Sequence, residues 1–135
     1  MKRLGSMLIL ALCMATLNSC TEEDPIEPEV DPREKFIGNW NVQEKINGQV
    51  TGAYASVVTN DASNTSRIKI GNIYNLGTSS SVSAVIAGNS MDISSQTITG
   101  ITISGNGVFS NEGFVLNYTA VDGSSSQAVQ ATYTR

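Results

Sequence analysis

The sequence predicts an all-β body, an antiparallel up-and-down barrel of about eight strands. Three observations carry this reading. From Phe36 to Arg135 the chain is rich in Ser, Thr, Asn, Gly and β-branched residues. Its apolar residues alternate with polar ones in short runs, and no stretch sustains the 3.6-residue period of an amphipathic helix. Turn signals such as Asn47-Gly48, Gly88-Asn89 and Asp122-Gly123 recur at intervals that suit hairpins joined in sequence order. A β-sandwich is the alternative, because alternation alone does not reveal closure.

Residues 1–19 read as a signal peptide. Met1-Lys2-Arg3 is basic, and an apolar run from Met7 to Leu17 follows, broken only by Thr16. As a helix this run would be roughly 16 Å long, against the ~30 Å of a bilayer core. A basic start, a short apolar stretch and small polar residues mark an export signal rather than a membrane span. Leu17-Asn18-Ser19-Cys20 resembles a bacterial lipobox. The resemblance implies cleavage after Ser19 and lipid attachment at Cys20, whose acyl chains suffice for stable anchoring. Cys13 would leave with the signal, so the mature chain would have one cysteine and no internal disulfide. Thr21 is not an inner-membrane retention aspartate. Glu22-Glu23-Asp24 resembles the export patch of surface lipoproteins in gut Gram-negative bacteria, implying an outer-membrane protein that faces outward.

Residues 20–35 then form an acidic, proline-containing tether. Glu22, Glu23, Asp24, Glu27, Glu29, Asp31 and Glu34 stand against Arg33 and Lys35, and the chain's three prolines all fall here. So little apolar surface predicts disorder, and a spacer explains the acids better than a calcium site does. The tether also carries most of the net charge of −4. The body is nearly neutral and has no basic stripe, which argues against nucleic acid.

Residues 36–135 form the barrel domain. The first strand, 39–46, puts Trp40, Val42 and Glu44 on one face. Asn47-Gly48 supplies a type I′ hairpin turn, and 50–60 returns with a bend at Gly52. A third strand, 67–74, turns Ile68 and Ile70 inward, and 75–80 is a loop. Val82, Ala84 and Ile86 make the next inner face. Residues 91–93 form a short strand, and 96–104 a longer one with a bulge at Thr99-Gly100. Gly105-Asn106-Gly107 and Asn111-Glu112-Gly113 read as tight turns. The last hairpin sets Phe114, Leu116, Tyr118 and Ala120 opposite Val129, Ala131 and Tyr133.

Gly38-Asn39-Trp40 at the head of the first strand resembles the Gly-x-Trp signature of the calycin families: lipocalins, fatty-acid-binding proteins and avidins. The whole layout resembles the small lipocalin-like β-barrel lipoproteins of gut Gram-negative bacteria. That resemblance implies that Trp40 closes one barrel end with Arg135 stacked upon it. It also implies a small apolar or amphipathic ligand inside, for which Tyr54, Phe114 and Tyr118 are the wall candidates. The competing reading is an interaction module with a filled interior. It would be an accessory subunit of a nutrient-uptake complex or an enzyme inhibitor, acting through loops such as 75–81.

The composition restricts the chemistry. There is no histidine, so Ser-His-Asp and Cys-His arrangements are excluded, as is a His-ligated metal. No catalytic residue, metal ligand or cofactor site is assigned, and the expectation is a non-enzymatic protein. A glycosidase would need Glu44 and Asp92 to converge. Glu44 shares a face with Trp40 and Val42 and is either a buried acid or, more simply, a rim glutamate.

Overall fold

The structure is a computed structural model that describes residues 28–135. Residues 1–27, on which the expected signal peptide, lipid attachment at Cys20 and the first part of the expected tether fall, lie outside the described residues. The strands are β1 (Gly38–Ile46), β2 (Gln49–Asn60), β3 (Arg67–Gly71) and β4 (Ser81–Ala87), then β5 (Ser90–Ile98), β6 (Ile101–Ser110), β7 (Gly113–Asp122) and β8 (Ser125–Thr134). Each pairs antiparallel with the next, and β8 returns to β1 from Asn41↔Thr134 to Ile46↔Val129. The sheet is therefore a closed barrel, not a sandwich. Closure satisfies the backbone groups that an open sheet would leave at its edges.

Period-two alternation sets the register. Trp40, Val42, Ile68, Ile70, Val82, Ala84, Leu116 and Ala131 all point inward and are buried. Their outward neighbours Asn39, Asn41, Gln43 and Lys45 in β1 are exposed, as are Gln130, Thr132 and Thr134 in β8. A barrel of eight strands is just wide enough for such side chains to meet. The pairings place two distinct ends. The floor carries the turns at 61–66, 88–89 and 111–112; the mouth carries those at 47–48, 99–100 and 123–124 and the connection 72–80.

Four elements differ from the sequence-based expectation. Thr99-Gly100 is a hairpin turn, with φ of 48° and 85°, rather than a bulge within one strand. The β5 irregularity falls between Ile93 and Gln96. Gly105-Asn106-Gly107 is not a turn but the middle of β6. A Cβ on Gly105 would lie 2.5 Å from Tyr118 Cα, and one on Gly107 2.4 Å from Leu116 Cδ2. These glycines are there to admit bulky neighbours. The third strand stops at Gly71, because Asn72 turns left-handed at φ 52°.

The fourth difference concerns the tether, whose last residues belong to the folded body. Asp31 Oδ1 accepts from the Arg33 backbone N–H at 2.9 Å, and Asp31 Oδ2 takes the Arg33 guanidinium at 2.6 Å. The same guanidinium donates to the carbonyls of Asn64 and Arg67. A short 3-10 turn, Glu34–Phe36, then seats Phe36 in the core. Composition counts the charges of this segment but not their pairing. A matched Asp–Arg pair consequently reads as solvated sequence.

Candidate functional site

The floor is an aromatic stack. Phe36 meets Phe114 at 5.4 Å between centroids, Trp40 meets Phe114 at 4.9 Å, and Phe114 lies parallel on Tyr133 at 4.2 Å. Trp40 Nε1 donates to the Phe36 carbonyl at 2.8 Å, so its one polar group is satisfied. Arg135 Cζ sits 4.1 Å from the Trp40 ring centroid, and its Nη2 donates to the Ile37 carbonyl at 2.7 Å. Such a stack contributes about 0.5–2 kcal/mol. Gly38 has φ of +125°, where a side chain would be strained and would point at Arg135. The Gly-x-Trp spacing here is thus a backbone requirement of the floor, and no ligand is needed to explain it.

The three wall candidates do not converge. Phe114 is buried in the floor stack, whereas Tyr54 and Tyr118 lie toward the mouth. There they share a partner: Tyr118 Oη donates to Glu44 Oε1 at 2.6 Å, and Tyr54 Oη donates to the same oxygen. Glu44 is only 4% exposed, so the rim reading is corrected. Two phenols reach it from β2 and β7, and β1 continues to Ile46 beyond it. Asp92 points outward from β5 and is exposed, so the two acids do not meet. Among the described residues no group of three or more acids or cysteines gathers as a metal site would require.

The partners of Glu44 are unusual for a buried acid. Asp31 pairs with Arg33 at 2.6 Å, and Asp61 pairs with Arg67 at 3.2 Å. No described lysine or arginine pairs with Glu44, and no described group donates to Oε2. Burial, then the neighbouring hydroxyls and Glu44 itself, hold the phenols of Tyr54 and Tyr118 far above the ordinary tyrosine range. Both remain neutral donors. Beneath them Tyr133 is fully buried. Its hydroxyl lies within the influence of those of Ser56 and Tyr54 and of Glu44, without a well-formed hydrogen bond to any described group. Buried hydroxyls are normally paired, so this one stands out.

The connection 72–80 covers the mouth. Asn72 fastens it: Nδ2 donates to the Ala55 carbonyl at 2.8 Å, and Oδ1 accepts from the Gly77 N–H at 2.8 Å. Ile73 is buried as the anchor. Tyr74 then reaches across, its hydroxyl donating to Gln127 Oε1 and its ring edge-on to Tyr118 at 6.4 Å. Asn72, Tyr74 and Asn75 all have left-handed backbone, with φ of 52°, 55° and 54°. Asparagine tolerates that region; tyrosine does so at a cost of order 1–3 kcal/mol. On one side of Tyr74 lies a recess of about 250 Å³ bordered by Glu44, Tyr54, Thr51 and Ile46. On the other lies one of about 90 Å³ bordered by Ile101, Asp122 and Gln127. Tyr74 is the partition between them.

Sequence reasoning placed Tyr54 and Tyr118 correctly on inward faces but missed what joins them. The usable signal was the parity of β1, which sets Glu44 two residues beyond Val42. Tyr74 was hidden because an apolar run ending in tyrosine reads as strand. Tyr133 was expected to face inward, but nothing in one sequence shows that a hydroxyl lacks a partner. No family of proteins, no curated protein and no solved structure matches the chain.

Proposed function

We propose that this is a non-enzymatic lipoprotein, anchored through Cys20 at the outer membrane and facing outward, whose barrel binds a small amphipathic ligand at its mouth. The observation that carries the reading is a polar cluster in a largely apolar interior: Glu44 with the Tyr54 and Tyr118 hydroxyls, and Tyr133 beneath them, under the strained Tyr74. A barrel folds without such a cluster, and buried polar groups weaken it unless something offsets them. Strained backbone collects at ligand clamps. The filled floor argues for a small ligand and against a long apolar chain. The polar outer faces of β1 and β8 support a barrel that stands in water, since a membrane barrel presents apolar residues outward. The acidic segment before Pro28 supports a spacer.

The test is native mass spectrometry of the protein released from its own host envelope. The expected mass begins at acylated Cys20 and carries a small adduct that disappears on mild activation. A chain starting elsewhere refutes the anchor. Reproducible absence of an adduct, with a protein partner retained instead, refutes the ligand and favours the interaction module.

A further inference from the structure

The mouth specifies the class of ligand. This inference rests on the proposed binding at that site and goes one step further. Three features of the cluster bear on charge. First, Glu44 Oε1 already accepts two phenol hydrogens, while Oε2 has no described donor, and Glu44 borders the recess of about 250 Å³. Second, the other two acids packed against the body each have an arginine, and Glu44 has none among the described residues. A buried carboxylate without a counter-charge is expensive, and it is normally balanced by a cation. Third, two of the bordering residues are aromatic. Tyr54 and Tyr74 border the recess, and Tyr118 packs edge-on against Tyr74. Ring faces attract cations, most strongly where water is excluded.

The remaining question is which cation. A divalent metal needs several oxygen ligands of its own, and one carboxylate with neutral phenols does not provide them. The space suits a head group with a short alkyl tail, with Ile46 as the apolar contact. The geometry points to a small alkylammonium ion as the ligand: Glu44 Oε2 is its counter-charge, Tyr54 and Tyr74 are its aromatic walls, and Tyr118 supports Glu44 and Tyr74 from behind.

The test is calorimetric titration of the full chain with n-butylammonium, n-butanol and butyrate, three probes of one shape and different charge. Saturable binding of the ammonium alone is expected, weakened about tenfold or more in Glu44→Gln. If butanol or butyrate binds as tightly, the ammonium assignment is overturned while mouth binding stands. If none of the three saturates up to about 50 mM, the assignment falls. The native mass spectrum then decides separately whether any ligand is bound. The comparison among probes uses the unaltered protein, so it survives a variant that fails to fold.

Discussion

Two tyrosines hold the Glu44 carboxyl, and among the described residues no lysine or arginine pairs with it. Glu44→Gln keeps an oxygen for the Tyr54 and Tyr118 hydroxyls and removes the unpaired charge. Chemical denaturation should therefore show stability unchanged or raised by up to about 1 kcal/mol. A loss of more than about 1 kcal/mol would mean that the charge is balanced within the fold. Tyr118→Phe should instead lower stability by about 1–2 kcal/mol, because Glu44 then loses a charge-assisted donor. Asp61 behaves in the opposite way. Ser63, through its hydroxyl and its backbone N–H, holds the Asp61 carboxyl below the usual range, with help from Arg67. The stability it contributes is present above the ordinary carboxylate pKa of about 3.9 and is lost as pH falls through the lower folded value. Melts at pH 6 and pH 2.5 should show a smaller acid-induced drop in Asp61→Asn than in the parent.

The strands differ in how far their sequences reveal them. β1, β4, β7 and β8 each alternate cleanly, and each lies where the alternation puts it. β6 does not, because Gly105 and Gly107 occupy inward positions that apolar residues would normally fill. The same glycines read as turn signals for that reason. What fixes them is the partner strand, since Asn117 O would lie 2.3 Å from a Cβ on Gly105. Gly105→Ala should therefore destabilise the barrel by about 1–3 kcal/mol, measured by urea titration. Gly48→Ala serves as the control at a site with open space around it, strained only by its φ of +83°. The mouth connection was the least legible element. Its left-handed Asn72, Tyr74 and Asn75 are held by Ala55, Gly77 and Gln127, contacts that one chain's local pattern does not encode. The candidate site is legible in part for the same reason: parity places Glu44, Tyr54 and Tyr118 inside, and only the pairing of β1 with β2 and β8 brings them together.

As a whole the barrel has two unlike ends. The floor is closed by Phe36, Trp40, Phe114 and Tyr133, with Arg135 outside them. The mouth is closed by one strained tyrosine over a buried carboxyl group. A molecule built only to be stable would gain nothing from the second arrangement. The most direct test is a two-dimensional NMR titration of the full chain with n-butylammonium. Shifts should saturate at the amides of Glu44, Tyr54, Tyr74 and Tyr118 while the Trp40 indole signal stays fixed. Shifts centred on Trp40, or drifting evenly over the sheet without saturation, would contradict the assignment of the mouth as the binding end.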